Sequence, residues 1–482
     1  MKGTGTSHQV KGVCGIMRGV AVAITICAFL AGTQPASAGT LTLRDAIAES
    51  LSSNNALKIS REKLRESSLQ VRESWGMLWP ELSSDVSLTR QWAESGINSS
   101  IDGQYDVKIV NGTLAVNPGA FYHGLMASRK GYIIAEKDVR RIKADTAIRT
   151  IKLYYQVLLA RESITLQRDS LKSLEENLRV VTTGYRRGTF SKLDYLRARV
   201  AMSNQKTVLI NSENQYMTAR ATLNIQLGRD INDPLDADPS AVRGTPDIPL
   251  NLPLSGDAGT KVVENMIAVA LRNRPELIQI KLRKQVLDET ARASESVFLW
   301  PTIFISGSYG TSKVIQKDEG SIGTLPAPFD TLSEEINKSF APPGWNNSWM
   351  VTFGATYRWG SLVPFDSAWA GSKKIRSQAR QTAFEMDDFI KGVRLEVQSG
   401  YLKLKSASSS ILSQKGNIQT AEETLRAARI QFRNGIIDNT KLLEANLQLT
   451  TARTLYIQSL HDFQVAKAEL NRALGVDYFT IE

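Results

Sequence analysis

Two short stretches decide the fold: Tyr-Arg-Arg-Gly at residues 185–188 and Phe-Arg-Asn-Gly at residues 432–435. Each lies near the middle of a long window without proline, residues 119–233 in the first case and 365–482 in the second. Proline costs about 3 kcal/mol in a helix interior, and both windows are rich in good helix formers, so long helices can run through them. The glycine that ends each stretch permits the left-handed conformation that a tight reversal requires. Each window is therefore predicted to be a helical hairpin with a glycine at its tip.

The two hairpins are copies of one another. Gly188 aligns with Gly435 at an offset of 247 residues, and the same offset relates two Leu-Asn-x-x-Leu-Gly motifs that begin at Leu223 and Leu470. The segments before the hairpins also resemble each other, since both end in Leu-Trp-Pro. The chain is therefore predicted to be a tandem duplication. Its predicted parts are a signal peptide at 1–38, a first structural repeat at 39–240, a linker at 241–260 and a second structural repeat at 261–482.

Each repeat is predicted to contain one helix, a pair of strands, a long outgoing helix, a tip and a return helix. At 1.5 Å per residue the outgoing helices reach roughly 85 to 100 Å and the return helices about 60 Å. The first helix of each repeat is therefore expected to stack end to end with the return helix. The predicted ranges are 43–78, 128–184 and 190–228 for the helices of the first repeat, and 262–299, 367–432 and 437–475 for those of the second.

The segments between the helices alternate apolar and polar residues, which is typical of strands. Two strands are predicted at about 81–122, where Asn111-Gly112 resembles a hairpin turn, and two at about 301–360, where Phe304 interrupts a polar face. Strands of about 9 to 11 residues with one apolar face and aromatic ends are typical of outer-membrane barrels. The candidate aromatic girdle consists of Trp92, Trp349, Tyr357 and Trp359.

A soluble antiparallel sheet on a helical core would give the same alternation. The aromatic ends of the strands and an export signal favour the barrel. Four strands cannot close a barrel with an open lumen, so closure would require an oligomer, and a trimer would supply twelve strands.

The export signal lies at the N-terminus. Basic residues precede an apolar run at 20–30, and Ala36-Ser37-Ala38 form a small-x-small cleavage site before Gly39. A single N-terminal membrane anchor is the alternative, but the apolar run is short for a span of about 20 residues. Both cysteines of the chain, Cys14 and Cys27, lie inside this segment.

The net charge of +11 over 482 residues first suggests a nucleic-acid or membrane-surface partner. The basic residues are, however, scattered among acidic neighbours on helical stretches, so no nucleic-acid partner is predicted. The phosphate-loop, zinc-helix, nucleophile-elbow and dinucleotide motifs are all missing from the sequence. His123 and His461 stand alone in the sequence. We therefore expect no enzyme activity, no cofactor and no metal site.

The order of these motifs, and the fact that each occurs twice, resemble the pattern of the TolC family of outer-membrane efflux proteins. The resemblance rests on the duplicated plan, the Trp-Pro strand starts, the Tyr/Phe-Arg-x-Gly tips and the Leu-Asn-x-x-Leu-Gly helix ends. It also rests on the Asn-x-x-Leu helix starts, at Asn54 to Leu57 and, with one more residue, at Asn273 to Leu277. It covers essentially all of the mature chain. It implies a mainly α fold with a β-barrel part, in which a homotrimer forms a twelve-stranded outer-membrane barrel, four strands per chain, continuous with a long periplasmic α-helical barrel.

The resemblance also implies partners and site residues. Such a chain would contact outer-membrane lipid and dock to a periplasmic adaptor (membrane fusion) protein and to an inner-membrane RND or ABC transporter. In this family the tips close the duct at rest and meet the adaptor, and acidic side chains just after the tip can form a selectivity ring. The positions that match the docking tips are Tyr185, Arg187, Gly188, Phe432, Asn434 and Gly435. Those that match the pore constriction are Leu193, Asp194, Lys441 and Glu444.

Lys441 and Ile437 depart from the family pattern, which puts strong cation selectivity in doubt. For the charged residues after the tips, a solvated helix face is the plainer interpretation. For the two tip glycines, the reversal of the chain is a sufficient reason. Two functions stay open at this stage: a passive export duct, for drug efflux or type I secretion, and a periplasmic helical scaffold or adhesion-related protein that binds a partner.

Overall fold

In this computed structural model, the structure describes residues 40–89, 93–95, 99–238, 257–316, 344–357 and 367–476, together with residues 328 and 331. The predicted signal peptide at 1–38 lies outside the described residues. So do most of the predicted linker and two residues of the predicted girdle, Trp92 and Trp359.

Eight helices are named in the described part of the chain, four in each half. Those of the first half are α1 (Leu43–Ser53), α2 (Asn55–Gly76), α3 (Pro118–Arg186) and α4 (Lys192–Leu227). Those of the second half are α5 (Asp257–Asn273), α6 (Pro275–Leu299), α7 (Ser367–Arg433) and α8 (Asn439–Leu474). With 69 and 67 residues, the outgoing helices α3 and α7 are each about 100 Å long.

Helix α3 begins ten residues earlier than the sequence predicts, at Pro118 rather than near 128. Pro118 and the glycines that follow it resemble loop residues in the sequence. In the structure, Asn117 caps the helix by accepting a hydrogen bond from the Ala120 N–H at 2.9 Å. Proline suits the first helical position, because it has no N–H to leave unsatisfied there. The same residues that look like a loop therefore start the helix.

The prediction of one continuous helix at 43–78 and another at 262–299 is wrong. Each range holds two helices, separated at Asn54 in the first half and at Arg274 in the second. Asn54 is extended (φ −61°, ψ 124°), and its side chain accepts a hydrogen bond from the Ala56 N–H. Arg274 is extended for a different reason, because the proline that follows disfavours the helical conformation of the preceding residue.

The return helices end against these breaks, as the predicted end-to-end stacking requires. Gly228 and Gly475 cap α4 and α8 with φ of +77° and +68°. A Cβ on Gly228 would lie 2.8 Å from the Cβ of Ser53, and one on Gly475 would lie 3.0 Å from the backbone nitrogen of Arg274. Arg274 Nε donates to the Ala473 carbonyl at 2.6 Å. Glycine is therefore required at both joints, by backbone conformation and by space.

The strands of both halves form one antiparallel sheet. They are β1 (Glu81–Thr89), β2 (Ala93–Ser95), β3 (Ser99–Val116), β4 (Thr302–Gln316) and β5 (Asn346–Thr356). The order is β1-β3-β4-β5, and β2 continues the pairing of β1 along the same partner, β3.

The predicted hairpin turn at Asn111-Gly112 is wrong. Asn111 lies inside β3, opposite Ser83 on one side and Ser308 on the other. Pairing with both neighbours overrides the local turn preference of this dipeptide. The strand ends at Val116 rather than near 122, since Pro118 already begins α3.

The best-buried part of the helical region lies where α1, α3 and α4 meet. Ile151, Tyr154, Leu158 and Leu223 are buried there. The Tyr154 hydroxyl donates to the Leu41 carbonyl at 2.9 Å, and burial raises the pKa of this tyrosine to about 12. None of the described helices combines the length and apolar composition that crossing a membrane requires.

Candidate functional site: hairpin tips and exposed sheet

The hairpin tips reverse the chain with the same backbone in both halves. Gly188 has a φ of +80° and Gly435 a φ of +70°, and each N–H donates to the carbonyl three residues earlier at 3.1 Å. A Cβ on either glycine would meet open space. Their conformation, and not crowding, is therefore what requires glycine at the two tips.

The helices that leave the tips begin with polar caps, in which an acidic residue takes part in both halves. Asp194 and Ser191 form a capping box: the Asp194 N–H donates to the Ser191 hydroxyl at 3.1 Å, and the Asp194 carboxylate accepts from the Ser191 hydroxyl at 2.6 Å. Asp438 caps α8 by accepting from the Lys441 N–H at 3.1 Å. These carboxylates stabilise the first turns of α4 and α8, where the helix dipole favours negative charge.

The two tips pack against each other through an aromatic pair. The rings of Phe190 and Phe432 are stacked at 5.2 Å with an interplanar angle of 11°. Phe432 is only 4% exposed. The prediction that Phe432 is a docking contact is therefore corrected, because its ring is occupied by the other hairpin of the same chain.

Polar contacts strengthen the same junction. Arg197 Nη1 donates to the Thr440 hydroxyl at 2.8 Å, and Asn177 Nδ2 donates to Asn439 Oδ1 at 2.9 Å. The Asn439 amide in turn donates to the Asp194 carbonyl at 3.4 Å. Within the chain, the two hairpins are thus joined at their ends by an aromatic stack and three hydrogen bonds.

The other predicted docking residues remain accessible. Tyr185 is 40% exposed, and its ring stacks on Tyr195 of the same hairpin at 5.5 Å. Arg187, Gly188, Asn434 and Gly435 are exposed at the ends of the tips.

Sequence reasoning missed Gly184, although a glycine four residues before a tip glycine is an available signal. A Cβ on Gly184 would lie 2.0 Å from the Phe190 ring. This glycine gives Phe190 the room to reach Phe432.

The constriction candidates do not come together within one chain. Leu193 is exposed, and the Asp194 carboxylate serves the helix cap. Lys441 Nζ lies 3.2 Å from Glu444 Oε2, and both side chains are more than half exposed. The Lys441 ammonium group thus offsets the charge of Glu444 on the same helix.

A groove of about 650 Å³ runs beside the tips between α3, α7 and α8. Its walls carry Glu176, Arg179, Arg429 and Arg433. Arg179 donates to Glu176 at 2.7 Å, and this hydrogen bond holds the pKa of the Glu176 carboxyl below its ordinary range. The groove therefore carries charges of both signs, since Asp169 and Glu175 also line it, together with Lys172.

Away from the hairpin tips, at the other end of the long helices, one face of the sheet is apolar and exposed. Val86 is 79% exposed and Trp349 74% exposed, although both are large hydrophobic residues. The register places Leu88 beside Tyr105, and Ile305 beside Phe353, on this same face. An apolar sheet face of this kind requires a nonaqueous neighbour.

The opposite face of the sheet is mostly polar, with Phe304 as the exception that the sequence already indicates and Met350 as a second apolar residue. A Cβ on Gly354 would lie 2.3 Å from the Phe304 ring, so the ring lies over this glycine of the neighbouring strand. The missing side chain of Gly354 accommodates the one aromatic residue on the polar face.

Aromatic residues lie at both ends of the sheet. Tyr357, at the helical end, donates its hydroxyl to the Phe298 carbonyl at 2.7 Å, and Trp349 lies toward the far end. Two further tryptophans outside the candidate girdle, Trp79 and Trp300, are exposed immediately before β1 and β4. The Trp-Pro strand starts were the signal that could have identified them.

The structure gives no support for a metal centre among the described residues, where no cluster of three or more His, Cys, Asp or Glu is found. His123 does not stand alone as the sequence suggests, since its Nδ1 lies 2.7 Å from Glu289 Oε2. Lys130 donates to the same carboxylate at 2.8 Å. Hydrogen bonds from Lys130 and His123 hold the pKa of Glu289 below its ordinary range. This cluster ties α3 to α6 below the sheet.

Comparison with known proteins identifies relatives over nearly the whole chain. The family model for outer membrane efflux proteins matches residues 46–229 and 266–476. The chain is 20% identical to the probable outer membrane lipoprotein SilC of Salmonella typhimurium, over 89% of this chain and 84% of SilC. It is 22% identical to the alkaline protease secretion protein AprF of Pseudomonas aeruginosa, over 78% of this chain and 71% of AprF.

Among solved structures, the outer-membrane channel OprN is similar, with a TM-score of 0.69 and 16% sequence identity over 90% of each chain. This likeness concerns the fold. It confirms the predicted fold class, a mainly helical chain with long hairpins and a small antiparallel sheet.

Proposed function

The chain belongs to the outer membrane efflux protein family, and from this premise we propose that it is the outer-membrane exit duct of a tripartite efflux or type I secretion system. In this proposal the chain forms a homotrimer in the outer membrane of a Gram-negative cell. It docks to a periplasmic adaptor protein and, through it, to an inner-membrane RND or ABC transporter. The duct is passive, and the proposal assigns it no catalysis.

One observation carries the proposal, namely a sheet that is incomplete in a single chain. Within the described residues β1 and β5 each have a neighbour on one side only, and the face between them exposes large apolar side chains. Open strand edges are a liability that closure of a barrel removes. Three copies supply twelve strand positions, which is enough for a barrel with a lumen. The 9 residues of β1 and the 11 residues of β5 match the length of a tilted membrane-spanning strand.

In this proposal the sheet and the hairpin tips have different roles. Trp349 and Tyr357, with Trp79 and Trp300, are proposed as the aromatic residues at the membrane interfaces. The accessible tip residues Tyr185, Arg187, Gly188, Asn434 and Gly435 are proposed as the adaptor contact. Leu193, Asp194, Lys441 and Glu444 are proposed to lie near the periplasmic constriction.

The test uses full-length protein expressed in a Gram-negative host. Detergent-extracted outer membranes should contain heat-resistant trimers, and the purified trimers should give stepwise conductance in a planar lipid bilayer. A charge on the lipid face of a barrel costs about 2–4 kcal/mol near the midplane. We therefore expect Val86→Arg, on the apolar face, to reduce the yield of membrane trimers strongly.

The matched control is Ser87→Arg, which places the same charge one residue along the strand on the polar face. It should leave the trimer yield close to that of the unmodified chain. A monomer found only in the soluble periplasm, with equal effects of the two arginines, would contradict the duct and favour the periplasmic scaffold.

A further inference from the structure

We propose that the periplasmic mouth of this duct prefers anions, and that the basic side chains of the first hairpin tip set this preference. The inference rests on the proposed function, since it concerns what the duct conducts. Its residues lie in the tip region, defined here as residues 185–199 and 432–444.

The charge of the tip region is strongly unbalanced. It holds seven cationic and three anionic side chains, a net charge of +4 per chain. The entire excess belongs to the first tip, because the second tip has two charges of each sign. The cationic residues are Arg186, Arg187, Lys192, Arg197, Arg199, Arg433 and Lys441, and the anionic residues are Asp194, Asp438 and Glu444.

The three carboxylates of the tip region all have local partners. Asp194 accepts from Ser191, Asp438 accepts from the Lys441 N–H, and Glu444 is paired with the Lys441 ammonium group. Their charge is thus directed at helix starts or offset by a cation on the same helix.

Most of the cationic side chains of the tip region, by contrast, make no ion pair among the described residues. Five of them are exposed and make no ion pair in the part of the chain that the structure describes. These residues are Arg186, Arg187, Lys192, Arg199 and Arg433. Their positive charge is therefore directed to solvent at the end of the hairpins.

The helix dipoles do not change this balance. Each tip joins one helix C-terminus to one N-terminus, so the partial charges of the two ends offset each other. Side-chain charge therefore sets the potential at this end of the chain. Three chains around one axis would bring three such tips to a narrow mouth, where a low-dielectric wall focuses the field and charged rings set ion preference.

The experiment measures the reversal potential of purified full-length trimers in a planar bilayer with an about tenfold KCl gradient. We expect the sign that indicates preference for chloride. The preference should weaken when the same gradient is set at higher salt, with about 1 M KCl in the concentrated chamber, because the Debye length falls from about 8 Å at physiological ionic strength to about 3 Å at 1 M.

Charge reversal at the first tip is the decisive variant. The triple substitution Arg186→Glu, Arg187→Glu and Lys192→Glu changes the net charge of the tip region from +4 to −2. We expect it to invert the sign of the reversal potential. The charge-conserving variant Arg186→Lys, Arg187→Lys and Lys192→Arg should keep the preference for chloride. Heat-resistant trimers on a gel show that each variant is assembled.

The outcomes separate this inference from the duct itself. Trimers without any conductance contradict the proposed function. Trimers that conduct but prefer potassium overturn the inference and leave the duct intact. A chloride preference that survives the triple charge reversal also overturns it, since the selectivity would then originate elsewhere in the chain.

Discussion

The two hairpin tips are copies of one motif, yet they have different surroundings. The first tip exposes an aromatic residue, Tyr185, and carries five cations. In the second tip, the aromatic residue at the matching position, Phe432, is buried against Phe190 of the first hairpin, and the charges cancel. In the present chain, the first tip therefore offers an accessible aromatic and basic surface, while the second tip contributes a buried ring that packs against the first hairpin.

The largest expected effect comes from removing the aromatic residue that joins the tips. Phe432→Ala deletes a buried ring and leaves a cavity beside Phe190, which typically costs 3 to about 5 kcal/mol. Tyr185→Ala, at the matching position of the first tip, removes a partly exposed ring and should cost about 1 kcal/mol. Hydrogen exchange of the tip amides in the trimer measures both. If both variants lose hydrogen-exchange protection equally, the buried aromatic residue of the second tip is no more important for stability than the exposed one of the first tip.

The next effect concerns the room that the first tip provides for this contact. Gly184→Ala would bring a Cβ to 2.0 Å from the Phe190 ring, so the ring must move, at a cost of about 1–3 kcal/mol. The matching position in the second tip is Gln431, which is exposed, and Gln431→Ala should be close to neutral. Thermal unfolding of the trimer distinguishes the two. If Gly184→Ala has no effect on stability, the stack does not depend on this glycine.

Substitutions of the tip glycines test whether the two hairpins reverse the chain in the same way. Gly188→Ala and Gly435→Ala both place a side chain at positive φ in open space, which costs about 1–2 kcal/mol from backbone strain. We expect equal losses of thermal stability in the two variants. A clear difference between the two losses of thermal stability would show that different interactions stabilise the two chain reversals.

The smallest effects belong to the polar residues that follow the tips. Ser191→Ala removes a capping side chain and should cost about 1 kcal/mol. Lys441→Ala removes only an exposed ion pair with Glu444 and should stay within about 0.5 kcal/mol. Denaturant unfolding of the purified trimer compares the two variants. A larger loss for Lys441→Ala would assign it a structural role that its exposure does not indicate.

The sequence was sufficient for features that depend on local chemistry. Glycine at the tips, absence of proline in the long helices and alternation in the strands predicted the hairpins and the sheet, since each acts within a few residues. The helix break at Asn54 is a mixed case, because an Asn-x-x-Leu helix start lies there in the sequence although one continuous helix was predicted across it. Asparagine is tolerated inside helices, and what lies against the break in the structure is the end of α4, where Gly228 packs against Ser53 and the Ser53 hydroxyl donates to the Leu227 carbonyl.

The features that the sequence did not predict depend on distant partners. Asn111-Gly112 stays extended because Ser83 and Ser308 flank it, and Ser308 is almost two hundred residues away. Phe432 is buried by a ring of the other hairpin, and His123 has its carboxylate on α6. Of the candidate site, the sequence therefore identified the position of the tips but not which tip residues are already occupied.

Among the described residues, the outer strands β1 and β5 each lack a neighbour on one side, and this has a consequence for biogenesis. A newly exported chain carries an apolar sheet face and free strand edges until it meets two others, and such a chain is prone to aggregate. Assembly with other copies of the chain then competes with non-productive pairing to any other protein that exposes a strand edge. The yield of functional ducts should consequently depend on the rate of synthesis and on holding chaperones in the periplasm, and not only on the stability of the finished trimer.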